Sequence, residues 1–274
     1  MNRALFVTTL LSLAVATPAL AQTTDWSGLY IGGAAGYANP DEDDETLQFD
    51  RDLDGAFNDT VTTSLAADAF APGFCNGTAK GNNAGAGCRD DEGEIEVSLR
   101  GGYDRQFGNW VVGGLVEATY VNLEDAVTGF SSTPAAYTFT RETDWILAAR
   151  VRGGYASGPY LAYATAGLAT AKIDTRFDTT NVANAFELND SDSRANGYQL
   201  GGGLEWKVNS NWSLGAEYLY TTLEDDDAVV RVTQGAALPS NPFVLAPNTT
   251  GTDIRRSDDE FDIHSFRVTA AYRF

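Results

Sequence analysis

Alternation constrains this chain more than any other feature. The segment Phe266-Arg267-Val268-Thr269-Ala270-Ala271-Tyr272-Arg273-Phe274 puts Phe266, Val268, Ala270, Tyr272 and Phe274 on one face of a strand, and Arg267, Thr269 and Arg273 on the other. Further segments repeat the pattern. No later apolar run approaches the roughly 20 residues that a membrane-spanning helix needs. A soluble sheet could turn such apolar faces inward. The more economical reading is a transmembrane barrel, apolar outside and charged within.

Residues 1–21 read as a secretory signal. Arg3 supplies the positive start, Leu5 to Val15 the apolar core, and Ala19-Leu20-Ala21 the small-residue cleavage site, so mature numbering would begin at Gln22. Residues 22–274 then form one all-β domain. An exported chain without an apolar helix enters a membrane only as a closed barrel, because open sheet edges cannot sit in lipid. The expected address is the cell outer membrane. The formal net charge of -20 argues against a nucleic-acid partner, which calls for clustered Lys and Arg.

The alternating segments are Trp26 to Ala38, Glu94 to Phe107, Trp110 to Tyr120, Asp144 to Tyr155, Tyr160 to Lys172, Gly197 to Val208, Trp212 to Tyr220 and His264 to Phe274. The fifth is small and apolar on both faces, so its orientation stays open. Tight turns at Gly108-Asn109, Ser157-Gly158-Pro159 and Asn209-Ser210-Asn211 alternate with long connections, the longest being 39–93 and 221–262. Short inner turns and long outer loops mark an antiparallel, up-and-down, eight-stranded barrel with four external loops. Aromatic residues at strand ends, including Trp26, Tyr37, Trp110, Tyr120, Trp145, Trp206 and Trp212, suit the two membrane–water interfaces.

With these strands in place the chain resembles the eight-stranded OmpA-type barrels, and within them the opacity-type, outer-membrane immunogenic protein family of Gram-negative bacteria. The resemblance rests on Asp25-Trp26-Ser27-Gly28-Leu29-Tyr30-Ile31-Gly32-Gly33, on the Gly101 to Tyr103, Gly153 to Tyr155 and Gly201 to Leu204 strand cores, and on terminal Tyr272-Arg273-Phe274. It covers the strands and not the loops. It implies recognition of Phe274 by the barrel-assembly machinery, contact with outer-membrane lipid and lipopolysaccharide, and a monomer. Some relatives bind haemin.

Inward parity gathers Glu94, Glu96, Asp104, Glu117, Glu205 and Glu217 with Arg100, Arg150, Arg152, Lys207, Arg267 and Arg273. An eight-stranded barrel is only wide enough for side chains to fill it. A structural ion-pair network that plugs the lumen is the first expectation; a narrow, low-conductance ion path is the alternative. The same bases account for every acid, no Gly-x-Ser-x-Gly elbow occurs, and His264 is the single histidine, so no enzyme is expected. His264 is the one candidate axial haem ligand.

The acid surplus lies in the loops. Asp41-Glu42-Asp43-Asp44 and Asp225-Asp226-Asp227 open the longest two, and Asp258-Asp259-Glu260 closes the last. Hard oxygen ligands converging at an external rim would suit Ca²⁺ or Mg²⁺; solvated loops that deter aggregation are the plainer account. No other cofactor is expected. Cys75 and Cys88 sit in the first long loop, and export favours a disulfide between them. The loops would meet lipopolysaccharide, host surfaces or neighbouring cells, and they name no partner.

Overall fold

The computed structural model describes residues 25–41, 45–189, 191–225 and 228–274. The expected signal segment 1–21 lies outside them. Strands β1 (Gly28–Pro40), β2 (Leu47–Asp50), β3 (Gly73–Asn76), β4 (Thr78–Ala79), β5 (Cys88–Arg89), β6 (Glu94–Phe107), β7 (Trp110–Ser131) and β8 (Ala135–Ser157) occupy the first part of the chain. After them come β9 (Tyr160–Thr179), β10 (Ala185–Asn189), β11 (Asp192–Lys207), β12 (Trp212–Glu224), β13 (Val229–Thr233), β14 (Thr252–Arg256) and β15 (Glu260–Arg273).

Eight of these close a ring in the order β7-β6-β1-β15-β12-β11-β9-β8, sealed by β7–β8 pairing. Every neighbour in the ring is antiparallel. Closure leaves no barrel edge to satisfy in lipid. Leu29, Leu99, Val116, Val151, Leu204 and Val268 are exposed and form the apolar outer face. Trp110, Tyr155, Trp206 and Trp212 bound it at the short-turn end, and Tyr37, Tyr120, Trp145 and Tyr198 at the other, all of them exposed. The short turns are tight because Gly108, at φ 61, and Gly158, at φ 58, adopt the left-handed backbone that a two-residue connection requires.

The fifth barrel strand has a definite orientation. Leu161, Tyr163, Thr165, Ala169, Ala171 and Ile173 are buried inside, while Tyr160 and Leu168 face outward. Trp26 corrects an expectation. It is fully buried within the short-turn mouth rather than set in an interface belt. Its backbone N–H donates to Gln106 Oε1 at 2.7 Å, and the Lys207 and Arg273 side chains lie over its ring. The Asp25-Trp26-Ser27 motif is thus a plug, which outweighs the preference of an amphipathic ring for the interface.

The connections depart further from expectation. The third and fourth barrel strands have no long strand-free loop between them. They run on as a hairpin to Ser131 and Ala135, past a register shift between Tyr120 and Leu123. Loops 39–93 and 221–262 likewise hold β2 to β5, β13 and β14. Strands β10, β13, β14 and β2 form a second antiparallel sheet. It packs against the extended hairpin around Phe49, Phe70, Val127, Tyr137, Phe139 and Ile254, all buried. The external loops therefore make an ordered cap with its own apolar core. Cys75 and Cys88 are bonded there, with Cα atoms 6.1 Å apart.

Candidate functional site

The lumen is filled in layers. Lowest is the plug, where Asp104 pairs with Arg152 and with Arg273 at 2.8 Å, and Arg152 also meets Glu205 at 2.5 Å. Lys207 donates to the Asp25 carbonyl oxygen and meets no carboxylate at bridging distance among the described residues. Tyr30 reaches across this layer because Gly102 opposes it; a Cβ on Gly102 would lie 2.5 Å from the ring.

The middle layer centres on Glu117 and Glu217. Glu117 meets Arg100 at 2.7 Å, Arg267 at 2.8 Å and Arg150 at 3.0 Å. Glu217 meets Arg267 at 2.5 Å and Arg100 at 3.2 Å. Glu96 approaches Arg267 at 3.7 Å and accepts from Ser265 Oγ at 3.1 Å. All these side chains are buried, and mutual pairing offsets the cost of desolvating them. Glu94 does not join; it is exposed where β6 begins, at the rim.

Above the ions the barrel turns dry. Leu123, Ile146, Ile173, Leu223, Phe261 and Ile263, with the alanines between them, form one buried apolar cluster contributed from around the ring. Parity placed charges inside correctly lower down. It did not show that the same inward row becomes apolar near the rim.

A second ion cluster ties the cap to the barrel. Asp125 accepts from Arg141 at 2.6 Å and from Arg256 at 2.7 Å, and Glu45 pairs with both arginines. Arg141 also donates to the Glu260 carbonyl oxygen at 2.9 Å. Burial pushes the Asp125 carboxyl up, but Arg256 and Arg141 outweigh it and hold the group below the ordinary range. Burial raises Glu45. Nearby Asp91 accepts the Ala126 N–H at 2.8 Å, and burial lifts it to about 6. Period-two reading found none of this, since the residues come from three separate connections: 39–93, the β7–β8 hairpin and 221–262.

Among the described residues the acid runs gather no group of three carboxylates. Glu42, Asp43, Asp44, Asp226 and Asp227 lie outside the described residues. Asp225 is buried and accepts from Ser193 Oγ. Asp258 and Glu260 offer backbone oxygens to Arg141, and exposed Asp259 gives its backbone oxygen to the Asp225 N–H. Asp41 lies 3.4 Å from His264 Nε2. Among the described residues the acids whose oxygens gather within 4.8 Å are Asp50, Asp52 and Asp59. Part of a signal was present in the chain: Asp50-x-Asp52-x-Asp54-Gly55 follows the first half of calcium-loop spacing, with Gly55 at φ 91 for the sharp turn, but Val61 stands where that loop carries its Glu. The described acids that lie nearest one another are thus in that cap loop.

His264 points outward at the upper rim. Its Nδ1 lies 2.7 Å from the Tyr218 hydroxyl and its Nε2 lies 3.4 Å from Asp41, so axial ligation through either nitrogen would displace that nitrogen's partner. Phe274 is exposed beside Tyr272, and its N–H donates to the Leu29 carbonyl at 3.0 Å, fastening the last strand to the first.

Closed antiparallel topology, an apolar outer band between aromatic belts and a charged interior define a β-barrel of the outer-membrane class. The chain belongs to the outer membrane protein beta-barrel domain family, whose model matches residues 7–274. It is 31% identical over 208 residues to the 31 kDa outer-membrane immunogenic protein of Brucella melitensis, covering 76% of this chain and 75% of the relative. The protein of that description from Brucella suis matches equally. Among solved structures it is similar to the outer membrane protein OprG of Pseudomonas aeruginosa (14% identity, 90% and 97% of the two chains, TM-score 0.46). Neisserial surface protein A is a further likeness (13%, 90% and 98%, TM-score 0.38).

Proposed function

We propose that this outer-membrane protein is a structural and surface-display protein, not an enzyme: a closed barrel that anchors a folded external cap. The observation that carries the reading is the apolar layer around Leu123, Ile173, Leu223 and Phe261, stacked on the ion pairs of Glu117 and Glu217. An ion crossing it would shed its water without gaining a partner. The alternative, a low-conductance channel, requires both layers to rearrange. The cap presents the surface available to lipopolysaccharide, host or neighbouring cells, and Phe274 is the signal offered to the assembly machinery.

Planar-bilayer recording tests this. The purified protein is expected to give no sustained single-channel steps. Steps that disappear on Glu117→Ala would replace the closed-barrel reading with the channel.

A further inference from the structure

The cap holds a cavity that neither the lumen nor the ion clusters use. Its volume is about 250 Å³, and it opens at the outer tip of the β7–β8 hairpin, against the β9–β10 connection and the short turn Pro242–Val244. Phe70, Tyr137 and Phe243 floor it. All three are buried, and their rings pack on one another with centroids 5.2, 6.0 and 5.7 Å apart. No lining residue is charged, although the chain carries a net charge of -20.

The polar groups around this floor are already fixed. Asn181 and Asn241 line the cavity, and each donates through Nδ2 to Oδ1 of buried Asn184, at 2.9 and 3.0 Å. Asn184 Nδ2 donates in turn to the Thr233 carbonyl oxygen at 3.0 Å. The connections that carry these amides are thereby locked together, and a ligand need not order them. The Tyr137 hydroxyl accepts from Asn181 Nδ2 at 3.0 Å. Ser131 Oγ is 3.5 Å from that hydroxyl and donates at 2.6 Å to the Thr133 carbonyl. Thr180 Oγ1 accepts the Ala136 N–H at 2.9 Å. Among the described residues neither the Tyr137 nor the Thr180 hydroxyl donates a hydrogen bond. Burial pushes the Tyr137 phenol up, so it keeps its hydrogen.

We propose that this cavity binds one uncharged pyranose ring of a surface glycan, its C–H face on Phe70 and Phe243 and a hydroxyl oxygen accepting from Tyr137. The inference rests on reading the cap as a displayed surface. An aromatic floor with a few fixed polar groups is the usual make-up of a small-molecule site, and a volume below the roughly 300–1,000 Å³ of drug-sized pockets limits this one to a single ring. An apolar side chain of a partner would cover the Tyr137 hydroxyl and leave its hydrogen unsatisfied; a sugar oxygen accepts it. Acidic sugars are repelled by the protein's net charge.

The test uses the whole protein in phosphatidylcholine nanodiscs, because the headgroup of an alkyl-glycoside detergent would compete. It is applied to an array of neutral and acidic oligosaccharides, with the O-polysaccharide of the producing cell included. Binding to neutral saccharides is expected. Tyr137→Phe keeps the ring and should weaken it about tenfold. Ala183→Trp, at an exposed lining position, should block the cavity without touching Tyr137 or the amides. It keeps the test decisive should Tyr137→Phe loosen the cap. Capture of the cell's own O-polysaccharide would place the ligand on neighbours of the same kind, and capture of other glycans alone would place it on foreign cells; both support the site. No saccharide bound, a preference for acidic ones, equal affinity in both variants, or tighter binding of a phenylalanine-containing peptide would overturn it. The closed-barrel reading is tested separately by conductance, since these side chains lie outside the lumen.

Discussion

Tyr163 donates its hydroxyl to Glu217 Oε2 at 2.6 Å across the lumen. The bond joins β9, whose sequence is apolar on both faces, to the central acid of the barrel's ion pairs. Tyr163→Phe removes one donor from a buried carboxylate and keeps the ring. It should destabilise the barrel by about 1–3 kcal/mol, read as a lower urea midpoint for unfolding in detergent. An unchanged midpoint would mean that Arg100, Arg267 and Arg150, the last at 3.5 Å, alone satisfy Glu217.

Asp125 is held by Arg141 and Arg256 at once. Asp125→Asn leaves two buried guanidinium groups sharing Glu45, a loss of about 3–5 kcal/mol. The loss should fall on the cap. Limited proteolysis is expected to cut within 39–93 and 221–262 sooner than in the wild type, while the compact barrel band survives. Simultaneous loss of both would show that cap and barrel fold as one unit.

Asp91 gives the cap a pH dependence of definite sign. Its folded pKa, about 6, lies above its ordinary value of 3.8, so the protonated form suits the fold. That contribution is complete below about pH 4 and is lost as pH rises through 6. Partial exposure reduces it to about 1–2 kcal/mol. Asp91→Asn keeps an acceptor for the Ala126 N–H and should flatten cap stability between pH 4 and 7, followed by hydrogen exchange at Ala126. A slope unaltered by the substitution would assign it to another group.

Asp50, Asp52 and Asp59 repel one another in the absence of a counter-ion. Millimolar Ca²⁺ is expected to raise the cap's melting temperature by a few degrees, with chelation reversing it and Asp52→Asn together with Asp59→Asn abolishing it. An equal response in the double variant would point to general screening.

Most barrel strands were legible because they show period-two alternation, and six of the eight flank a Gly-containing or Asn-containing turn; the fifth, apolar on both faces, was placed by its turn. Lumen charges followed from parity, except Glu94, which sits one step beyond the ring's covered interior. Cap strands were not legible for a physical reason. Strands such as β14, Thr252–Arg256, span only 5 residues, too few for a period to stand out. They also pair over long separations, with Asp253 opposite Asp50 and Arg256 opposite Leu47. No local turn announces such a pairing. From Asp125 to Phe130 β7 is buried on both faces, so alternation fades there too. Asp50 and Asp52 could have been recognised by spacing, Asp59 not. The Arg141 cluster could not, since nothing in sequence brings residues 45, 125, 141 and 256 together.

The pairing of Leu47 to Asp50 with Thr252 to Arg256 makes the cap discontinuous in sequence. A binder raised against the cap would meet a surface assembled from distant stretches of chain. Linear peptides copied from single loops would present little of it, and a substitution in one loop would alter recognition of its neighbours.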